Sequence, residues 1–382
     1  MKLAIIITAL TPYRITLYEE LCRFATKVTV LSMMHHSKEM REWDLTQYSP
    51  NFIHKILPGV TIPRSRWPFP VSVNYGVIPV LWRIKPDVVI STGGFSLANV
   101  GSFIYCKIFG KKFVNWCEFT LEDGSRRSAV KRFIRRTLSR HADGSIASSS
   151  DSKDAFVRFG ADPEKVRVIV MPVDVETFHE SASEFRVLPK YTSLRKQYPG
   201  TLIIVVGRLD EIKGYPELFR IYERLVALRP DVGLLIVGSG PQRKEYETLV
   251  HKKGWKNVHF LGFLEPPTLA QYMALSDFSV FPTLNDSFGA VIAEAMAAEL
   301  PVIASIFAYA TRDLVDDGVT GYRFNPRDTD EAVKITLRLV DMNDIERKEM
   351  GQRAYNKVRD YDCENAARRT AEFLQQIINL KD

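Results

Sequence analysis

Two carboxylates and two cations in the second half of the chain have the types and spacing for chemistry on a charged ligand. Asp286 stands in a polar turn, Asn285–Asp286–Ser287, just after an apolar run from Phe278 to Phe281 that reads as a strand. Glu294 follows eight residues later, in the second turn of a helix pattern that opens at Gly289. Both can therefore face the mouth of a strand–turn–helix unit. Such a mouth offers backbone N–H groups that suit phosphate or a sugar hydroxyl. A carboxylate just inside it suits a ribose diol, because each oxygen can accept one hydroxyl hydrogen bond. The plainer alternative makes Glu294 a helix-face charge and Asp286 an N-cap.

Upstream, residues 202–219 read LIIVVGRLDEIKGYPELF. Five apolar β-formers end in Gly207–Arg208, and a short polar loop reaches Lys213–Gly214. A helix follows, with Pro216 suited to its first turn and Leu218, Phe219, Tyr222 and Leu225 on one face. Two cations after a strand and ahead of a helix N-terminus can clamp a diphosphate, Arg208 as a fork and Lys213 as a point charge. The alternative is a pair of solvated loop cations.

Together these stretches resemble family 4 of the retaining glycosyltransferases, which has the GT-B fold. The family's G-R-x(4)-K-G segment is present as Gly207, Arg208, Lys213 and Gly214. Its second motif reads Asp286-Ser287-Phe288-Gly289, Glu294-Ala295-Met296-Ala297 and Pro301-Val302-Ile303-Ala304. Two positions depart from it: Asp286 replaces the first Glu, and Glu299 replaces the usual Gly. The resemblance is strongest over 200–325 and weak before residue 160.

The resemblance implies an α/β protein of two Rossmann-like domains, with parallel sheets facing across a cleft. Residues 1–175 would form the acceptor-side domain, 176–200 a linker and 201–363 the nucleotide-sugar domain, with a last helix, Glu364–Leu380, crossing back. Arg208 and Lys213 are expected to hold the donor diphosphate and stabilise leaving-group charge. Glu294 would hold the ribose, and Asp286 with the Ser287, Phe288 and Gly289 backbone the sugar hydroxyls. Gly262 and Phe263 would flank the base. A UDP-sugar is expected over a GDP-sugar, with a saccharide or lipid-linked saccharide acceptor in polysaccharide or glycolipid assembly, and no metal or other cofactor. Where the family has a Gly-Gly loop after the first strand, this chain has Thr11-Pro12-Tyr13-Arg14, so Arg14 would supply positive charge instead. Glu118 stands where many members have a histidine serving the donor sugar; a buried, hydrogen-bonded Glu is the alternative. The rival readings are a nucleotide-sugar epimerase on the same fold, or a silent partner of another transferase.

The elements that must position these residues alternate strand and helix patterns, which means parallel α/β architecture. Strands are expected at Leu3–Ile7, Val28–Leu31, Val88–Ile90, Lys112–Asn115, Gly144–Ala147 and Val166–Ile169. In the second half they fall at Leu202–Val206, Gly233–Val237, His259–Leu261, Phe278–Phe281 and Val302–Ala304. Tyr13–Phe24 and Asp151–Phe159 read as helices. Residues 56–75, rich in proline and aromatics, read as a long irregular segment, and His35–His36 as a polar loop. Gly238-Ser239-Gly240-Pro241 follows a strand but lacks the third glycine of a dinucleotide fingerprint, Arg243 standing there. Gly240 is therefore expected to let backbone approach the cleft. Asp328-Thr329-Asp330 precedes a helix pattern and reads as a cap. Ser91-Thr92-Gly93-Gly94-Phe95 is either an acceptor-side loop or a tight turn.

With 382 residues, 46% hydrophobic and 25% charged, the composition fits two ordinary globular domains. No apolar run approaches the roughly 20 residues of a membrane span, and the opening MKLAIIITALTPYR reads as a buried strand rather than a signal peptide. Cys22, Cys106, Cys117 and Cys363 are scattered, against a zinc site or disulfide framework and in favour of the reducing cytosol. Net charge is +7, and residues 126–140 alone hold seven basic residues and no acid. There Val130, Phe133, Ile134, Thr137 and Leu138 gather opposite Lys131, Arg132, Arg135 and Arg136. Such a basic amphipathic helix suits an anionic membrane surface, placing the protein on the inner face of the membrane. The alternative is an ordinary helix packing its apolar side on the first domain. Nucleic acid is not expected, as no aromatic interleaving or recognition motif is present.

Overall fold

A computed structural model describes residues 1–34, 49–62, 71–93, 96–119, 128–198 and 200–379 of the protein. The chain divides into two compact units, Met1–Pro172 with Cys363–Asp382, and Val173–Asp362.

The first unit alternates strands and helices. They are β1 (Lys2–Ile7), α1 (Pro12–Leu21), β2 (Lys27–Ser32), β3 (Ile53–Ile56), β4 (Val60–Ile62), β5 (Val71–Val73), α2 (Val77–Ile84) and β6 (Val88–Thr92). Then come α3 (Leu97–Ile108), β7 (Lys112–Cys117), α4 (Ala129–His141), β8 (Gly144–Ala147), α5 (Ser150–Arg158) and β9 (Val166–Val168). Seven strands form one parallel sheet in the order β3-β2-β1-β6-β7-β8-β9. Both faces are covered, so β1 is a continuous apolar run rather than an alternating one. Its Leu3, Ile5 and Ile7 enter one core and its Ala4 and Ile6 another, as the two-residue period of a strand requires.

The segment expected to be irregular is partly regular. β4 and β5 pair antiparallel, Val60 opposite Val73 and Ile62 opposite Val71, which a composition rich in proline obscures. Residues 63–70 and His35–His36 lie outside the described residues. β3 was not legible either, because IHKI is an exposed edge strand without an apolar run.

The second unit contains α6 (Val175–Val187), α7 (Pro189–Arg195), β10 (Leu202–Val206), α8 (Tyr215–Leu228), β11 (Gly233–Val237), α9 (Arg243–Lys253) and β12 (Val258–Gly262). It continues with α10 (Pro266–Leu275), β13 (Phe278–Phe281), α11 (Ala290–Ala297), β14 (Val302–Ser305), α12 (Thr311–Leu314), β15 (Gly321–Phe324), α13 (Thr329–Val340) and α14 (Asp344–Val358). Its six strands are parallel in the order β12-β11-β10-β13-β14-β15. Asp328 caps α13, accepting the Glu331 N–H at 3.1 Å.

Residues 176–200 are not a bare linker. They form most of α6 and all of α7, and α6 packs on α10 and α11 within the second unit. Asp174 caps α6 through the Thr177 N–H, and Val175, Phe178, Ala182 and Phe185 are buried at helical spacing. The intervening Thr, His, Glu and Ser dilute that period enough to hide it.

The last helix, α15 (Cys363–Asn379), belongs to the first unit. Its Ala366, Ala367, Phe373, Leu374 and Ile377 complete the core formed by α1 and one face of the sheet. Gly144 permits this approach: a Cβ there would lie 2.4 Å from Ile377 Cδ1. The opposite face of the sheet is covered by α2, α3 and α4, which share one core.

Candidate functional site

In the second unit the predicted residues lie at the carboxyl ends of β10 and β13, adjacent strands of the sheet. Open α/β sheets bind ligands outside these ends. Arg208 follows β10 after a single glycine, Gly207. Its guanidinium is half-exposed, with Nε 3.5 Å from Asp210 Oδ2. Lys213 ends a short 3-10 turn, Glu211–Lys213, and Gly214 then takes a left-handed φ of +73° before α8. A side chain at Gly214 is excluded, because a Cβ would lie 1.9 Å from the Pro282 carbonyl oxygen. That close approach ties the loop after β10 to the loop after β13. Two hydrogen bonds reinforce it: the Leu284 N–H reaches the Ile212 carbonyl at 2.8 Å and the Thr283 hydroxyl the same oxygen at 3.1 Å.

This tie brings Lys213 onto Asp286. The ammonium donates to Asp286 Oδ2, and both side chains are largely buried. Asp286 Oδ1 accepts the Phe288 N–H at 3.0 Å, a local turn that fixes the carboxylate. The turn is also bound to residues after β14, with the Asp286 N–H on the Phe307 carbonyl at 3.1 Å and the Tyr309 N–H on the Asp286 carbonyl at 3.3 Å. The spacing of the two motifs gave no hint of this third loop.

Several expectations change in detail. Phe288 is a core side chain and its N–H is taken by Asp286, so that group is not left for a sugar. Gly289 caps α11 with a φ of +90°, a conformation that favours glycine. Ser287 is exposed beside it. Gly240 is needed by the chain itself rather than by an approach to a ligand, since a Cβ there would lie 2.3 Å from the Leu209 carbonyl oxygen. At Gly207 the nearest atoms to an added Cβ are the Tyr215 hydroxyl at 3.7 Å and Lys213 Cγ at 4.0 Å, so space beside it is open. Gly262 has φ +77° and accepts the Gly238 N–H at 2.7 Å, and Phe263 after it is exposed.

Glu294 lies on α11 and is part-buried. No described residue hydrogen-bonds or ion-pairs with its carboxyl group, and burial pushes its pKa up to about 7. A carboxylate desolvated without a partner is held at a cost that a ligand hydroxyl would offset. The helix-face alternative, a solvated charge, does not describe it.

In the first unit, Arg14 and Glu118 meet each other. Arg14 sits in the first turn of α1 and Glu118 directly after β7, both at the carboxyl edge of that sheet. Arg14 Nη2 lies 2.7 Å from Glu118 Oε1, with both side chains mostly buried. The positive charge expected of Arg14 is thus matched by the residue expected in the histidine slot. Asn99 of α3 donates to the Ser91 hydroxyl and the Thr92 carbonyl at the end of β6, each at 2.6 Å. Gly94 and Phe95 lie outside the described residues.

The expected faces of α4 are not the observed ones; Arg126 and Arg127 lie outside the described residues. Val130 and Phe133 are 68% and 70% exposed, whereas Arg135 is only 5% exposed. The core takes the arc of Leu138 and Ala142, with Ile134 partly buried against it. At about 100° per residue Arg135 falls on that arc. Its guanidinium lies 4.6 Å from the centre of the Phe119 ring, a partner that makes its burial tolerable.

All four cysteines are free thiols. Among the described residues no group of three His, Cys, Asp or Glu could hold a metal, and no helix is long and apolar enough to cross a membrane.

Comparison with known proteins agrees with this arrangement. A family model described as Glycosyltransferase Family 4 matches residues 13–177, and one described as Glycosyl transferases group 1 matches residues 193–357. A D-inositol 3-phosphate glycosyltransferase from Corynebacterium kroppenstedtii is 27% identical over 257 residues, 65% of this chain and 56% of its own length. The N-acetylgalactosamine-N,N'-diacetylbacillosaminyl-diphospho-undecaprenol 4-alpha-N-acetylgalactosaminyltransferase of Campylobacter jejuni is 26% identical over 249 residues, 65% of this chain and 64% of its own. The chain spans less than two thirds of the length of these curated relatives. Among solved structures, HepE from Anabaena in complex with UDP matches with a TM-score of 0.77 at 20% identity, covering 98% of this chain and 100% of that one. The chain therefore matches the Glycosyltransferase Family 4 model over 13–177 and the Glycosyl transferases group 1 model over 193–357, on the GT-B fold.

Proposed function

We propose that the protein is a retaining glycosyltransferase that moves a sugar from a nucleotide-diphosphate donor, a UDP-sugar, to a saccharide or lipid-linked saccharide. The observation that carries this reading is the Lys213–Asp286 contact that joins the loops after β10 and β13, with Arg208 on the first of these loops and Glu294, without a described partner, on the helix that follows the second. In the reaction the bond between the anomeric carbon and the diphosphate oxygen breaks, and negative charge grows on the leaving diphosphate. Arg208 and Lys213 stabilise that charge, a contribution made chiefly in the transition state. Asp286 holds the Lys213 ammonium in place and limits where it can reach. The Glu294 carboxylate accepts the ribose hydroxyls, which relieves its unpartnered burial. The acceptor hydroxyl attacks the face the nucleotide leaves and passes its proton to the departing diphosphate oxygen, so configuration is retained without an enzyme nucleophile, and the cations make a metal unnecessary.

UDP is favoured because HepE was solved with UDP and with UDP-glucose. A lipid-linked acceptor, in surface polysaccharide or glycolipid assembly, is favoured by the undecaprenol-linked acceptor in the name of the Campylobacter relative. The test is incubation with a panel of UDP- and GDP-sugars and lipid-linked acceptors, with products read by mass and by anomeric coupling in NMR. A new glycosidic bond of retained configuration is expected. An epimerised nucleotide sugar, or no turnover with any donor, overturns the reading.

A further inference from the structure

The helical layer that covers one face of the first unit's sheet carries an unusual outer surface. None of α2, α3 and α4 contains an aspartate or glutamate. Their solvent side shows large apolar groups: Trp82 on α2 is 58% exposed, Ile108 on α3 69%, and Val130 and Phe133 on α4 68% and 70%. On α4 the same solvent arc holds Arg132, Arg136 and Arg140, all exposed, and none of them pairs with a described acid. Core packing does not explain the apolar groups, because the layer already buries Leu81, Tyr105, Cys106, Leu138 and Ala142 against the sheet.

We propose that this surface docks on an anionic lipid bilayer, with Phe133 and Val130 entering the headgroup boundary and Arg132, Arg136 and Arg140 meeting lipid phosphates. Exposed apolar groups beside cations, on helices that carry no acid, match an interface that is apolar below and negative above. A protein partner would need an acidic rim around an apolar centre; a bilayer of anionic lipid supplies both without a specific shape. This differs from a helix that merely rests its basic side on the membrane, since Arg135 is turned inward and the apolar pair outward.

The experiment is co-sedimentation of the full chain with phosphatidylcholine vesicles, with and without phosphatidylglycerol, at low and high salt. The parent should pellet with the anionic vesicles at low salt, release at high salt, and stay in solution with phosphatidylcholine alone. R132Q/R136Q should lower the partition coefficient by roughly tenfold or more, and reduce its salt dependence. V130S/F133S should lower it by roughly tenfold while keeping the salt dependence. These positions are exposed and remote in sequence from the donor-binding loops, so UDP affinity and circular dichroism should match the parent in both variants. That separates failure of this proposal from failure of the transferase reading. A parent that stays in solution at low salt overturns the proposal, as do variants that bind vesicles like the parent. A dimer in sedimentation velocity that V130S/F133S abolishes, without vesicle binding, would assign the surface to a second copy of the chain instead.

Discussion

Each unit sets a cation against a carboxylate at the carboxyl edge of its sheet, and the surroundings of the two pairs differ. In the second unit Lys213 rests on Asp286, but Arg208 on the same loop is half-exposed with a 3.5 Å contact to Asp210, and Glu294 has no partner among the described residues. In the first unit Arg14 and Glu118 meet at 2.7 Å, with both side chains mostly buried. One edge therefore keeps a half-exposed cation and an unmet acceptor, while the other sets its cation and carboxylate directly against each other. The difference follows from the sequence departures: the second unit keeps the family's Gly-Arg and Lys-Gly spacing, whereas the first has Thr-Pro-Tyr-Arg in place of a glycine loop.

The sharpest way to break this comparison is to remove the cations of the second unit. Lys213→Ala and Arg208→Ala should each lower kcat by about 10²- to 10³-fold, as for loss of one preorganised transition-state contact. Thermal unfolding should move little for Arg208→Ala, which is half-exposed. Turnover within about threefold of the parent in both variants would show that the edge has no clamp.

Glu294→Gln comes next. Loss of charge-assisted bonds to the ribose should weaken free UDP by roughly 1.5–3 kcal/mol, read by calorimetry. The pH dependence gives the sign. The Glu294 pKa is raised from 4.5 to about 7, so the folded protein favours the neutral form. Its contribution to stability is fully present below pH 4.5 and is lost as pH rises through about 7. The parent should therefore lose up to about 3 kcal/mol across that window that Glu294→Gln does not lose. UDP affinity should run the opposite way in the parent, rising toward pH 7 as the carboxylate forms, and stay flat in the variant.

In the first unit, Arg14→Ala should cost about 1–2 kcal/mol of stability by removing the ion pair to Glu118 in a part-buried site. Arg14→Ala/Glu118→Ala should recover most of it. A double variant as unstable as the sum of the single ones would mean that the pair is not closed, and would weaken the contrast with the second unit.

The smallest effect concerns Glu299, where the family has glycine. This residue follows α11 with a φ of +60°, and Arg186 on α6 holds its carboxylate at 2.8 Å. Glu299→Gly exchanges that ion pair for relief of a strain of about 1 kcal/mol, so the net change should be near zero. Glu299→Ala keeps the strain and loses the pair, and should be destabilised by about 1 kcal/mol by comparison with the glycine variant. Equal stability of the two variants would remove the strain from the account.

Much of the fold was legible because parallel sheets covered on both faces need unbroken apolar strands. Leu202–Val206, Gly233–Val237 and Phe278–Phe281 have the expected bounds. Strands without that signature were not legible: β3 is an exposed edge, and β15 reads GYRF with its middle residues facing partly outward. The helices of 176–200 were hidden by polar residues between their buried positions.

The sequence by itself determined which residues could meet a charged ligand, since type and local spacing are properties of the chain. Tertiary structure decided which of them are already paired. Lys213 and Asp286 are 73 positions apart, and Arg14 and Glu118 104, so neither contact leaves a local trace. The same holds for the orientation of α4. Periodicity places Phe133 and Leu138 in one apolar sector, but the folded chain turns Arg135 inward onto the ring of Phe119 and leaves Phe133 in solvent. Local pattern fixes what a segment can form; burial and electrostatic pairing act through space, and depend on what the rest of the chain brings alongside.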